Sequence, residues 1–242
     1  HAAGNDIGLV LALADELRAV ERRVPKAAAA RTVRLLLHSR VKIEAPGDWR
    51  GEGIRIGAIA SIIDTARHYR LASKRALAGL LRRYLPKDAP SALQSNHLND
   101  DRFPFLRAYA LLAALLGKSL TLEFIYGKKR KSRKNQTSDE RFNGRGFESL
   151  KALLPWHELS VKVRSGEVSK GEFEAALTLA LEHWTRHRRD VYQDWSATAD
   201  EVARLWSECI VLLCGDEALW AHLAQWQDGL RIPLFIPSLA DL

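Results

Sequence analysis

Apolar residues recur at spacings of three and four along most of this chain, the period of helices that bury one face. Over 5–24, Ile7, Val10, Leu11, Ala14, Leu17, Val20 and Val24 form one stripe, with Asn5 or Asp6 placed to cap it and Pro25 to end it. A second stripe over 26–40 turns Val33, Leu36 and Leu37 inward and Arg31, Arg34 and Arg40 outward, so the two read as an α-hairpin. Residues 41–53 hold Pro46, Gly47, Gly51 and Gly53 and read as a loop, with an extended start at 41–43. Helices are expected next over 54–69 and 72–85, the second capped by Ser73. The stretch 86–103, rich in Pro, Ser, Asn and Asp, is the best internal boundary. Pro104 then opens a helix over 105–116 that Gly117 ends.

The period changes at 119–126, where Leu120, Leu122 and Phe124 alternate with polar residues as in a strand. A strand needs a partner, and Leu159, Val161 and Val163 alternate in the same way. Between them, 128–146 is polar, charged and glycine-containing, and reads as a mobile loop. The helical period returns over 170–188, 198–214 and 216–229. The stripes there are Phe173, Leu177, Ala180, Leu181 and Trp184, then Val202, Leu205, Trp206, Cys209 and Leu212, then Leu219, Leu223 and Trp226. The expected fold is mainly α: a helical bundle or bundles with a minor β-hairpin around 119–126 and 159–163. Its expected division is an N-terminal lobe, 1–95, and a C-terminal lobe, 96–242, carrying the basic loop 127–146, or else one continuous domain. No repeat of fixed period marks a solenoid.

With 242 residues, 47% of them hydrophobic and 27% charged, the chain has the profile of a globular protein able to bury a full core. The 37 Lys and Arg against 29 Asp and Glu give a formal charge of +8, and the pI is near 9.7. Such an excess attracts polyanions, although a solvated basic surface without a partner has the same composition. Cys209 and Cys214 lie five apart, off a common helix face, and no zinc-ligand pattern includes them. They read as buried, reduced core residues, which fits a cytoplasmic protein. The longest apolar run, 108–117, is about half of a membrane span, and the apolar 7–14 lacks the preceding cationic region of a secretory leader. A soluble protein without a membrane partner is expected.

Three features carry the functional reading. The pair 54–85 has the layout of a helix-turn-helix, with a short turn at 70–72. Leu77, Leu80, Leu81 and Tyr84 face inward, leaving Lys74, Arg75, Arg82 and Arg83 outside, where a helix lying in the major groove would use them. The turn lacks the usual glycine and is about one residue longer than the tightest versions, and any two consecutive helices give a similar string. The second feature is a run of six bases in seven residues, Lys128, Lys129, Arg130, Lys131, Arg133 and Lys134. So dense a cluster repels itself, and phosphates would relieve it. The third is Arg186, Arg188 and Arg189 beside His183 and His187, near a helix C-terminus, where cations also complement the helix dipole.

Little in the chain points to catalysis. His97, Asp100 and Asp101, with Glu123, could serve a metal-dependent nuclease, but the Glu-x-Lys that should follow in a strand is missing, and the three read better as caps of the next helix. No phosphate loop, nucleophile elbow or dinucleotide fingerprint occurs, so neither cofactor nor resident metal is expected. The leading expectation is a non-enzymatic nucleic-acid-binding protein, with DNA favoured and RNA possible. The alternative is an RNA- or partner-binding subunit of a larger nucleoprotein complex.

Overall fold

In the computed structural model, residues 24–38, 49–86, 93, 103–127, 145–166, 168–187, 198, 201–202, 204–205 and 209 are described, and every regular element among them is helical. The helices are α1 (Lys26–His38), α2 (Trp49–His68), α3 (Lys74–Tyr84), α4 (Phe103–Leu115), α5 (Leu122–Tyr126), α6 (Arg145–Ser165) and α7 (Lys170–His187). They fall into two compact units, the first within His1–Leu93 and Asp100–Lys128, the second within Gln94–Asn99 and Lys129–Leu242.

In the first unit α2 and α4 pack on each other and supply the core. Every residue from 56 to 67 of α2 is buried, and so are all of α4 except Ala114. A helix buried all round needs no polar stripe, and it must satisfy its hydroxyls within itself. Ser61 does so by donating to the Gly57 carbonyl at 3.0 Å, and Thr65 by donating to that of Ser61 at 2.9 Å. The amphipathic α1 and α3 cover this pair. α1 buries Ala29, Thr32, Val33 and Leu36, and α3 buries Leu77, Ala78, Leu80, Leu81 and Tyr84, as the apolar spacing demands. Pro104 occupies the second position of α4, where a missing N–H costs nothing. Gly117 ends the helix at φ 64°, and Lys118 donates to the Ala113 carbonyl at 2.9 Å.

α2 begins at Trp49, so 49–53 belong to a helix rather than to the loop expected there. Glu52 explains the gain: it sits in the first turn, favoured by the helix dipole, and pairs with Arg55 at 3.3 Å. Gly51 and Gly53 are too few to stop a helix whose next turns are fully buried.

The β-hairpin is corrected at both of its expected strands. Residues 122–126 form the single turn α5, with Thr121 accepting from the Phe124 N–H at 3.0 Å as its N-cap. Its buried residues are Leu122, Ile125 and Tyr126, spaced by three and four, while Phe124 stays half-buried. Residues 159–163 lie inside α6, where Leu159, Ser160, Val161 and Val163 are all buried. α6 keeps Glu148, Lys151, Glu158 and Lys162 half-exposed at spacings of three and four, but five residues are too few to show that period, and 159–163 mimics alternation instead.

In the second unit α6 packs on α7. α6 continues through Pro155, which lacks the N–H that would bond to the Lys151 carbonyl. Leu150, Leu153, Trp156 and Leu159, buried on both sides of it, hold the helix together. α7 starts with a reciprocal cap: the Ser169 N–H and Oγ donate to Glu172 Oε2 at 2.9 and 2.7 Å, and the Glu172 N–H donates to Ser169 Oγ at 3.3 Å. Phe173, Leu177, Ala180 and Trp184 form its buried stripe, as expected. Val202, Leu205 and Cys209 are helical and buried, Cys209 as a free thiol. Glu201, also buried, lies 3.3 Å from His157 Nε2 and takes two bonds from Arg204, at 2.6 and 2.7 Å. No helix among the described residues is long and apolar enough to cross a membrane.

Candidate nucleic-acid interface

Charge is unevenly divided between the two units. The described part of the first unit contains thirteen Lys and Arg and three acidic residues, Glu52, Asp64 and Glu123. None of the three is exposed: Asp64 is buried within α2, and Glu52 and Glu123 are half-buried. Nine of the cations are exposed: Lys26, Arg31, Arg34, Arg70, Lys74, Arg75, Arg82, Arg83 and Lys118. The described part of the second unit is close to balance, with seven Lys and Arg against six Glu.

The junction of α2 and α3 shows how the first unit presents this charge. α2 ends in a two-bond cap: Leu71 donates to the Ala66 carbonyl at 2.8 Å and Arg70 to that of Arg67 at 3.1 Å. The residue at the centre of such a cap is left-handed and is commonly glycine, yet here it is Arg70, at φ 53°. The missing glycine of the turn is therefore replaced by a strained arginine, which places an exposed cation between the two helices. Ser73 then caps α3, accepting from the Ala76 N–H at 3.2 Å. That cap fixes the first turn, with Lys74 and Arg75 exposed on it at the positive end of the helix dipole.

All four expected groove residues, Lys74, Arg75, Arg82 and Arg83, stand exposed in the way the apolar stripe requires. Arg83 has a structural bond as well. Its Nη1 donates to the Leu36 carbonyl at 3.0 Å, satisfying an orphan group in the last turn of α1. At the other end of α1, the Lys26 ammonium lies 5.4 Å from the centre of the Tyr69 ring, which His68 meets edge-on at 4.8 Å. The Lys26 contact holds the start of α1 at the end of α2, and the Arg83 bond ties the last turn of α1 to α3. Their outer faces carry Arg31 and Arg34 on one, and Arg75 and Arg82 on the other.

Burial raises two tyrosines of this unit. Tyr109 is pushed up to about 12 by desolvation in α4. Tyr84 is raised by burial too, although the nearby Arg83 and Arg55 guanidiniums pull in the opposite direction. Both phenols are neutral at ordinary pH and serve as core side chains.

Arg186 is exposed on α7 in the second unit, while Arg188, Arg189 and the whole run Lys128, Lys129, Arg130, Lys131, Arg133 and Lys134 lie outside the described residues. So do His97, Asp100 and Asp101 of the nuclease alternative. Their expected companion Glu123 sits in the first turn of α5. Among the described residues no group of three or more His, Cys, Asp or Glu could hold a metal ion. Trp184, fully buried, is a core residue rather than a stacking platform. Sequence reasoning missed Lys26 and Arg70. It placed Arg31 and Arg34 outward without assigning them a role, although the polar side of the 26–40 stripe already pointed to them. No protein-family model matches this chain, and no curated protein matches it.

Proposed function

We propose that the first unit binds nucleic acid, with duplex DNA favoured over RNA and α3 as the helix that enters the major groove. One observation carries the reading: every exposed charged side chain among the described residues of that unit is cationic. A one-sign surface repels itself and is relieved by a polyanion, because each phosphate neutralised releases condensed counterions. At 11 residues α3 is about 16 Å long, which suits a groove about 12 Å wide. Lys74 and Arg75 in its first turn are the side chains proposed to meet base edges, with Arg82 and Arg83 further along. Arg31, Arg34 and Arg70 are proposed to hold phosphates on either side. The basic run at 128–134 and the arginines 186, 188 and 189 are proposed separately, as sequence-independent phosphate contacts of the full chain.

The test is retention of labelled duplex DNA, single-stranded DNA and RNA by the full chain across a salt series. Duplex DNA is expected to be retained best. Reversing Lys74 and Arg75 to Glu should abolish any sequence preference, whereas replacing the bases of 128–134 should weaken all sequences alike. Preferential retention of RNA would transfer the reading to a nucleoprotein-assembly subunit. Failure to retain all three would remove it.

A further inference from the structure

Gly79 lies at the middle of α3, on the exposed face and between Arg75 and Arg82. A helix-interior glycine carries an entropic penalty relative to alanine, and two structural reasons usually justify it. One is a left-handed backbone, but the positive-φ glycines among the described residues are Gly117, Gly127 and Gly166, and Gly79 is not among them. The other is close packing against a neighbour, yet apart from its chain neighbours and the adjoining backbone of α3 itself nothing lies within 4 Å of the place where a Cβ would stand. Gly171, also in open space, differs in that it falls in the first turn of α7, where a helix has little to lose from glycine. Nothing among the described residues therefore accounts for glycine at 79.

An outside partner would account for it. Arg75, Gly79 and Arg82 stand at i, i+4 and i+7, so they follow one another on a single outward stripe. The two arginines are about 10 Å apart along the axis, and the bare backbone between them forms a saddle flanked by positive charge. We infer that Gly79 is the point at which a phosphodiester strand crosses α3, seated against the helix backbone while Arg75 and Arg82 hold its phosphates from either side. The chemistry of the neighbours selects this occupant: with two cations flanking the saddle and no exposed carboxylate in the described part of this unit, an anionic chain fits. The same seat accepts a strand of a duplex or a single strand. The inference rests on the nucleic-acid reading above and changes one role within it: Arg75 passes from a base edge to a phosphate, and Lys74 is left as the base-reading side chain of the first turn.

The experiment compares Gly79→Ala and Gly79→Leu with the wild-type full chain, measuring thermal unfolding and binding to fluorescein-labelled duplex DNA, single-stranded DNA and RNA of equal length. Gly79→Ala should raise Tm by about 2–4 °C, because alanine is the better helix former and has open space there. It should nonetheless weaken binding by about threefold, and the bulkier Gly79→Leu by about tenfold or more, on whichever probe the wild type prefers. Stabilised variants that bind like the wild type would overturn the inference and leave the nucleic-acid reading standing. A wild type that binds none of the three probes would overturn both. A loss on duplex DNA alone would assign the saddle to a groove wall, and an equal loss on all three to any phosphodiester strand.

Discussion

Arg70 shows what a single side chain contributes to this surface at a cost to the fold. A non-glycine residue in the left-handed region is strained by about 1–2 kcal/mol, and part of that returns when glycine takes its place. Arg70→Gly is accordingly expected to stabilise the protein by about 0.5–1 kcal/mol in chemical unfolding while reducing nucleic-acid retention. A variant that loses stability would show that the left-handed cap is not strained. At the same scale Tyr109 sets a pH limit. Its phenol is raised from 10 to about 12 by burial, so the neutral form is the one the fold favours. The stability this provides is fully present below pH 10 and is lost as the pH rises through about 12. Tm should fall across that window, and Tyr109→Phe should flatten the fall. An unchanged profile in the variant would shift the cause to other groups.

At the level of elements, the Arg83 bond to the Leu36 carbonyl ties α1 to α3, and it separates two arginines that the sequence treats alike. Arg83→Ala should destabilise by about 1 kcal/mol, through an orphaned carbonyl and a lost charge-assisted bond. Arg82→Ala should leave stability within about 0.5 kcal/mol of wild type and weaken binding instead. Equal effects of the two on stability would contradict the assignment. What could be read in advance follows the same division. Amphipathic elements were legible: α1, α3 and α7 bury the stripes that their spacing marks, and Ser73 caps α3 as expected. α6 was not: its half-exposed stripe, Glu148, Lys151, Glu158 and Lys162, is narrow, and the alternation of Leu159, Val161 and Val163 within it reads as a strand. α5 is too short for periodicity to distinguish, and its cap at Thr121 is the signal that alternation obscured. For the interface, the outward residues of α3 followed from its buried stripe, whereas Arg70 could not be found without its backbone dihedral, nor Arg83 separated from Arg82 without its partner across 47 positions.

The whole molecule pairs a cationic unit with one near charge balance. The second unit has its own stability determinant in the buried Glu201, which lies beside His157 and is held by Arg204. Glu201→Ala leaves those partners with unmet polar groups and should destabilise by about 2–4 kcal/mol, measured as a lower denaturant midpoint. An effect below about 0.5 kcal/mol would show the cluster to be incidental. The first unit is where binding should be controlled. The decisive quantity is the slope of log K against log salt for duplex DNA, compared between the wild type and the double variant Arg75→Gln, Arg82→Gln. If these arginines each hold a phosphate, the variant's slope should be shallower by about two units, at close to 0.9 per contact. Parallel lines for the two proteins would contradict the claim that α3 presents its cations to nucleic acid.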